Sequence, residues 1–249
     1  MTNESNNQNV LVTGGSSGIG RSIVIRLARE GYCVITCARQ MDRLAELKRD
    51  LLNEGYEIFT IKADLKEEDS ILKMFEEIRK EFGGIEVLIN CAGIGHDAPL
   101  LSSPSEPWRE TIDVNIIALS ICTREAVRMM RERGDRGHIV NISSMLGHRV
   151  GKFPGMYTAT KFAVRALTES IRMELAAKGS GIRISQVSPG RVETEFHEKY
   201  FKQKDKAQKM YSEYKALEGD DIARAVLYIL SQPEHVTIDD ILIKASGQQ

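Results

Sequence analysis

Two kinds of segment alternate along this chain. Short apolar runs rich in β-branched residues recur seven times, and longer segments between them place apolar residues every three or four positions, as on one helix face. Strands that alternate with helices form a parallel sheet covered on both faces, so the pattern predicts an α/β fold with seven strands. The predicted strands are residues 10–13, 33–37, 58–61, 86–90, 138–143, 182–188 and 241–244.

Three longer segments depart from this rhythm. Residues 106–133 and 155–178 have long helical patterns, whereas residues 191–219 form a charged stretch without a strand pattern. An insertion of this length after a strand is typical of a functional lid. Its aromatic residues could cover a lipophilic substrate, or simply pack on the protein body. These residues are Tyr200, Phe201, Tyr211 and Tyr214.

Composition narrows the class of protein. No repeat or linker divides the chain, so we predict one domain over residues 1–249, with a short disordered tail at residues 1–8. The net charge of −1 gives no basic excess for nucleic acid. No apolar run approaches the ~20 residues that span a bilayer, and no signal peptide pattern opens the chain. We therefore predict a cytoplasmic protein without a membrane span.

The cysteines and histidines show no metal-binding pattern. Four cysteines lack any CxxC pairing, and five scattered histidines contain no HExxH motif. Spacing of this kind predicts reduced thiols and no metal site.

A glycine-rich turn joins the first predicted strand to the first predicted helix. Residues 13–20 read TGGSSGIG, with glycines at positions 14, 18 and 20. Glycines here let a ligand approach the backbone and leave helix N-terminal amides aimed at a phosphate. The turn favours a dinucleotide, although its spacing differs from GxGxxG and an ordinary glycine-rich turn is the alternative.

The residue after the second predicted strand indicates which dinucleotide. An NAD site places an acid there for the ribose 2′-hydroxyl, but CVITCAR places Arg39. A guanidinium binds a 2′-phosphate with two hydrogen bonds. We predict NADP(H); a solvated loop arginine is the alternative.

Tyr157 and Lys161 stand four residues apart in a predicted helix. That spacing puts both side chains on one helix face. A phenol has a pKa of about 10 and is a poor acid or base at neutral pH unless a nearby cation stabilises its anion. The pair is either a catalytic couple or a chance pair on a surface.

The chain resembles the short-chain dehydrogenase/reductase family over nearly its whole length, because six landmarks follow the glycine turn in the family's order. ALSICTREA and SMLGHRV narrow the resemblance to cytosolic NADP-dependent reductases of ketosteroids, dicarbonyls or isoprenoid alcohols and aldehydes. The resemblance implies a doubly wound Rossmann fold and a homodimer or homotetramer. The landmarks are Asp64 in KADL, NCAG at 90–93, Asn115 in DVN, Ser143 and Ser144 in NISS, YTATK at 157–161 and SPGRVET at 188–194.

The resemblance also implies site residues. Ser144 rather than Ser143 stands thirteen residues before Tyr157, as the family's serine does, and Cys91 departs from the family's usual asparagine. The implied catalytic residues are Asn115, Ser144, Tyr157 and Lys161. The implied cofactor-binding residues are Gly14, Ser16, Ser17, Gly18, Ile19, Gly20, Arg39, Asp64, Leu65, Asn90, Ala92, Gly93, Tyr157, Lys161, Pro189, Gly190, Val192 and Thr194.

Our mechanistic hypothesis gives each catalytic residue one role. Tyr157 exchanges a proton with a carbonyl or alcohol oxygen, and Ser144 polarises that oxygen. Lys161 lowers the phenol's pKa and binds the nicotinamide ribose. Asn115 interrupts its helix to hold a relay water. The alternatives are a mainly oxidative enzyme, or a silent NADP(H)-binding regulatory or scaffold protein, against which the intact tetrad argues.

Neighbouring apolar residues admit two interpretations. Met145, Leu146 and Met156 flank the catalytic serine and tyrosine, so they either line the substrate pocket or fill the core. Trp108 either packs at a helix start or contacts substrate.

Overall fold

The computed structural model describes residues 8–151 and 155–248. The predicted tail at residues 1–8 therefore lies outside the described residues, apart from Gln8.

Every predicted strand is present, and all pair in parallel. The order across the sheet is β3-β2-β1-β4-β5-β6-β7, so β1 and β4 stand side by side where the chain reverses its direction of travel. That reversal opens a crevice at the carboxyl ends of the strands. The strands are β1 (Asn9–Thr13), β2 (Cys33–Ala38), β3 (Ile58–Lys62), β4 (Val87–Asn90), β5 (Arg136–Ile142), β6 (Gly181–Pro189) and β7 (Asp240–Ile243).

Both faces of the sheet are buried, as its continuous apolar strands require. On β1, Val10 and Val12 belong to one core cluster and Leu11 to the other, since successive side chains point to opposite faces. Helices α1 (Gly18–Arg29), α2 (Met41–Asn53) and α9 (Gly219–Leu230) pack on the first face. Helices α3 (Glu68–Phe82), α5 (Leu119–Glu132) and α6 (Met156–Ala177) pack on the second. The predicted doubly wound fold is confirmed.

The long segment predicted at 106–133 is helical but interrupted. Helix α4 (Glu106–Ile112) leads into a π-helical segment, Asp113–Ala118, which continues as α5. The wider turn contains Asn115, the residue expected to interrupt the helix. Widened turns of this kind are frequent at functional sites.

The charged stretch at 191–219 contains structure that the sequence pattern did not predict. It forms α7 (Glu195–Phe201) and α8 (Lys204–Tyr211). Val192 and Leu217 pair as an isolated parallel bridge, which brings the two ends of the stretch together.

Three further observations concern the predicted absences. Over residues 8–151 and 155–248, no helix is long and apolar enough to cross a membrane. Within the same ranges no group of His, Cys, Asp and Glu side chains could hold a metal ion. The four cysteines are free thiols.

Candidate active site

A cavity of about 1270 Å³ opens at the carboxyl ends of the strands. It takes this position because the loops after β1, β2, β3, β5 and β6 all begin there. The cavity brings together every predicted site residue except Asn90 and Asn115.

The glycine turn forms one wall of this cavity. Gly14 has φ +75°, and a Cβ there would lie 2.9 Å from the Ala92 Cα. A Cβ on Gly20 would lie 2.3 Å from the Gly14 carbonyl oxygen. Both positions therefore exclude side chains, and the turn leaves a shallow backbone cradle at the start of α1. Such a cradle fits a pyrophosphate.

Arg39 and Asp64 lie at the ends of neighbouring strands on the same wall. Arg39 directly follows β2, is exposed, and pairs with no acid in the described part of the chain. Asp64 follows β3, and its Oδ1 accepts a hydrogen bond of 3.1 Å from the Lys66 amide. The Arg39 guanidinium is placed to receive an anion from the cavity.

Tyr157 lies in the first turn of α6 and faces the cavity. Burial raises the pKa of its phenol above the ordinary value, a hydrogen bond with Ser144 lowers it, and the Tyr200 charge raises it. Burial is the largest of these effects, so the phenol keeps its proton at neutral pH. The predicted lowering of this pKa by Lys161 is not the controlling effect here; Ser144 is the stabilising partner.

Lys161 lies one turn further along α6, as the four-residue spacing predicts. Its side chain is buried, and the ammonium donates a hydrogen bond of 2.9 Å to the Ile142 carbonyl. The nitrogen lies 5.7 Å from the centroid of the Tyr157 ring. Burial lowers the pKa of Lys161 to about 8. The Tyr157 and Lys161 side chains thus share one volume, which excludes the chance surface pair.

Ser143 and Ser144 point in different directions. The Ser143 hydroxyl is buried and donates to the Lys161 carbonyl at 3.3 Å. Ser144 lines the cavity, and its Oγ accepts from the Leu146 amide at 3.1 Å in the turn that follows β5. Both serines border the cavity, but the Ser143 hydroxyl is bound to the α6 backbone, so Ser144 is the better placed of the two to bind a ligand.

The two asparagines lie behind the cavity wall. Asn115 is buried; its Nδ2 donates to the Ile94 carbonyl at 2.9 Å and to Thr160 Oγ1 at 3.0 Å, and its Oδ1 accepts from the Ile94 amide. Asn90 donates to Thr123 and Asn141 inside the core. These side chains support the loop that carries Gly93 instead of contacting the cavity.

Cys91 replaces the family's usual asparagine without disrupting this loop. The amides of Cys91 and Ala92 donate to Thr13 Oγ1 at 3.0 and 3.1 Å. Burial raises the pKa of the Cys91 thiol to about 12, which keeps it neutral beside Lys161. A side chain on strand β1 therefore holds the loop that an asparagine would otherwise help to hold.

Aromatic residues of α7 cover Tyr157. The Phe196 and Tyr200 rings lie 5.0 and 6.4 Å from the Tyr157 ring, centroid to centroid. Gly95 fills the gap between the three rings, and a Cβ there would lie 2.9 Å from Tyr157 and 3.0 Å from Tyr200. Tyr200 and Phe201 are buried with Met210 as a separate apolar cluster. The lid segment thus packs on the body and covers the site at the same time.

The other aromatic and apolar candidates divide between cavity and body. Met145 and Leu146 line the cavity, whereas Met156 does not. Trp108 donates from its indole nitrogen to the Ala98 carbonyl at 3.1 Å and does not line the cavity either. Its interpretation as a packing residue is favoured.

Several cavity residues were not predicted from the sequence. Glu195 of α7 lines the cavity and pairs with Arg43 of α2 at 2.8 Å. Gln248 also lines the cavity and accepts from the Arg191 amide at 2.9 Å. Each contact joins residues more than fifty positions apart, so local sequence patterns carry no signal of it.

Comparison with known proteins identifies the family of this chain. The sequence matches the short chain dehydrogenase family over residues 8–205. The chain belongs to the short-chain dehydrogenase family. Dehydrogenase/reductase SDR family member 11 of Bos taurus is 44% identical over 245 residues, which cover 96% of each chain. Farnesol dehydrogenase of Aedes aegypti is 37% identical over 243 residues, again 96% of each chain.

A solved short-chain dehydrogenase has the same fold. The closed form of serine dehydrogenase, complexed with NADP+, superposes with a TM-score of 0.90 at 33% identity, over 97% of this chain and 96% of that one. The predicted family is confirmed. This short-chain dehydrogenase is an oxidoreductase that uses a nicotinamide cofactor.

Proposed function

We propose that this protein is an NADP(H)-dependent oxidoreductase that interconverts a carbonyl and an alcohol on a small lipophilic substrate. The observation that carries the proposal is the Tyr157 phenol, hydrogen-bonded to Ser144 and close to the Lys161 ammonium, in the same cavity as the glycine turn. An acid, a positioned donor and a cation within one cavity suit proton transfer to a carbonyl oxygen.

The cofactor end of the cavity fits a dinucleotide phosphate. The turn around Gly14 and Gly20 leaves a backbone cradle that no Cβ can enter, and Arg39 lies beyond it at the end of β2. These residues would hold the pyrophosphate and the 2′-phosphate. The remaining predicted cavity-lining positions, from Ser16 to Thr194, would surround the rest of the molecule. When bound, NADPH supplies the hydride.

The catalytic residues act on the oxygen of the substrate. During reduction, Tyr157 donates its phenolic proton to the carbonyl oxygen as the carbonyl carbon receives the hydride, and the alcohol forms. Ser144 donates a hydrogen bond that stabilises negative charge growing on that oxygen. Lys161 stabilises the phenolate left on Tyr157 and can bind the ribose. Asn115 braces the loop at Gly93 behind Lys161; a relay water at this position remains our proposal.

Substitution of Arg39 tests whether the protein prefers NADPH to NADH. Arg39→Asp should lower kcat/KM for NADPH and raise it for NADH, because an aspartate repels the 2′-phosphate and accepts from a 2′-hydroxyl. The measurement is the ratio of the two efficiencies, with Arg29→Asp as a control at an exposed arginine of α1. An unchanged ratio would contradict the assignment.

The substrate end of the cavity supports a lipophilic substrate. Ile94, Leu146, Val150 and Phe196 line it around Tyr157, and apolar walls with few polar groups suit apolar ligands. The two sequence relatives named above carry dehydrogenase or reductase names, one of them for farnesol. A ketosteroid, a dicarbonyl or an isoprenoid such as farnesal are the substrates that we propose.

A substrate panel tests this proposal. NADPH oxidation is followed with a ketosteroid, an aromatic dicarbonyl and farnesal, and NADP+ reduction with farnesol and with serine. We expect turnover of at least one lipophilic compound and a lower kcat/KM for serine. Preference for serine would replace the lipophilic substrate class. Silence across the panel with intact NADPH binding would favour the regulatory or scaffold role.

We also propose a cytoplasmic homodimer or homotetramer. Free thiols are typical of a reducing compartment, and all four cysteines are unpaired. Ile117 and Phe162 expose 48% and 39% of their surface on the two long helical segments, which pack against each other. Large exposed apolar side chains on adjacent helices favour association.

A further inference from the structure

His148 ends the short turn that begins at Ser144, and the mechanism above leaves it unused. Its Nε2 lies 3.0 Å from Ser188 Oγ and 3.0 Å from Asp240 Oδ2. Ser188 lies near the end of β6 and Asp240 begins β7. The imidazole therefore connects the turn of Ser144, which follows β5, to the neighbouring strands β6 and β7.

The hydrogen bonds made by Ser188 and Asp240 fix the direction of their contacts with His148. Ser188 donates its one hydroxyl hydrogen to Asp240 Oδ1 at 2.9 Å, and Gln186 Nε2 donates to Asp240 Oδ2 at 2.9 Å. A carboxylate can only accept, and Ser188 has no second hydrogen to give. The His148 Nε2 therefore carries a hydrogen and donates to this pair. The network holds the ring in one tautomer and one orientation.

The other side of the turn is equally constrained. A Cβ on Gly147 would lie 2.7 Å from the Lys161 carbonyl oxygen, so the turn packs directly on the backbone of α6. The Leu146 amide donates to Ser144 Oγ within the same turn. The serine thus sits on a short segment fixed by α6 on one side and by His148 on the other.

We propose that His148 is a positioning residue that holds this turn so that Ser144 keeps its hydrogen bond to Tyr157. The inference rests on the proposed catalytic role of Ser144. His148 does not line the cavity, so its loss acts through Ser144. The larger cost falls on kcat, because the glycine turn and Arg39 lie on a different wall. Pro189 and Gly190 directly follow Ser188, so a smaller loss of NADPH affinity accompanies it.

Two substitutions test whether the hydrogen bond donated by His148 is required. His148→Phe keeps a ring and removes the hydrogen bond, whereas His148→Gln keeps a donor at the end of the side chain. We expect His148→Phe to lower kcat by about tenfold to a hundredfold, since small misplacements of a catalytic group cost that much. His148→Gln should recover most of the loss. NADPH affinity, measured by fluorescence, should fall by a smaller factor than kcat in His148→Phe.

The chain offers a matched control. His138 is also buried, and its Nε2 lies 2.8 Å from Ser185 Oγ on the same strand β6, away from the cavity. His138→Phe removes a comparable hydrogen bond, so it should leave kcat near the wild-type value. An equal loss of kcat in His138→Phe and His148→Phe would reduce the effect to general destabilisation and overturn the proposal. If His148→Phe does not fold, Asp240→Asn weakens the same network and should lower kcat in the same way.

Hydrogen exchange separates this proposal from the proposed function. Amides of residues 144–151 should exchange faster in His148→Phe than in the wild type, whether or not a substrate is known. Unchanged exchange would overturn the positioning role even if the enzyme is active. A wild-type protein silent on the whole panel would instead contradict the proposed function, and exchange would still decide on His148.

Discussion

Tyr157 shows how opposing effects act on one buried residue. Burial raises the pKa of the phenol, so the proton needed for reduction stays in place. The hydrogen bond with Ser144 acts in the opposite direction and lowers this pKa. Burial and the Ser144 contact therefore shift the pKa of the phenol in opposite directions, and burial has the larger effect.

Replacing Tyr157 with Phe keeps the aromatic ring and removes the phenolic proton. Tyr157→Phe should abolish measurable turnover, because no other group transfers a proton to the substrate oxygen in the proposed mechanism, while NADPH binding survives. Tyr32→Phe is a matched control, since Tyr32 is buried just before the start of β2, outside the cavity, and its pKa is also raised by burial. Full activity in Tyr157→Phe would eliminate the mechanism.

Lys161 predicts the pH dependence of reduction. Burial lowers its pKa to about 8, so the ammonium is present below that pH and is lost above it. The phenol of Tyr157 stays protonated throughout, because its own pKa is raised. We expect kcat/KM for a carbonyl substrate to be level up to about pH 8 and to fall beyond it. A profile that stays level well above pH 8 would show that the Lys161 charge is not required.

At the scale of elements, the lid is joined to the cofactor side of the cavity. Glu195 of α7 accepts from Arg43 of α2 and from Lys199, and Lys199 and Arg43 hold the pKa of this carboxyl below its usual range. The Arg43 and Glu195 side chains are about two-fifths exposed, so the pair contributes at most about 1 kcal/mol. That is enough to change how long the lid stays closed.

Glu195→Gln should therefore speed the release of NADPH. Loss of the pair is expected to raise the dissociation rate by up to about fivefold, the factor that corresponds to 1 kcal/mol. Stopped-flow fluorescence measures this rate. Glu54→Gln removes the similarly exposed pair of Arg29 and Glu54 between α1 and the end of α2, and should leave the rate unchanged. Equal rates in wild type and Glu195→Gln would refute the idea that the Arg43–Glu195 pair slows the release of NADPH.

The sequence predicted the strands and long helices better than it predicted the segments that connect them. Strands that are buried on both faces carry strong apolar runs, so all seven appear near their predicted positions. The break at Asp113–Ala118 contains Asn115, where the helix was expected to be interrupted. The two lid helices were harder to predict, because α7 packs against Gly95 and Arg43, which are distant in sequence. Motif spacing placed Tyr157 and Lys161 together, but it could not show that Asn90 and Asn115 lie behind the wall.

At the scale of the molecule, the two long helical segments present an apolar surface. Ile117 and Phe162 are large exposed side chains there, as is Met173, and we propose that a second copy of the chain buries Ile117 and Phe162. The prediction of one domain remains a prediction at this scale, as does the size of the oligomer.

The double substitution Ile117→Lys and Phe162→Glu should shift the protein to a smaller species in sedimentation velocity. New charges at a buried interface are costly to desolvate, so the assembly dissociates. Leu52→Lys changes an exposed leucine on α2 and should leave the sedimentation coefficient unchanged. A wild-type monomer would contradict the proposed association.

Gly95 limits the order in which residues around Tyr157 can be substituted during evolution. A Cβ at position 95 would lie 2.9 Å from Tyr157 and only 3.0 and 3.2 Å from Tyr200 and Phe196, and Tyr157 cannot shrink without loss of the proposed acid. Smaller residues at 196 and 200 are sterically compatible with glycine, whereas a larger residue at 95 is compatible only with a rearranged lid. Substitutions in the lid must therefore come first in any lineage that changes this position.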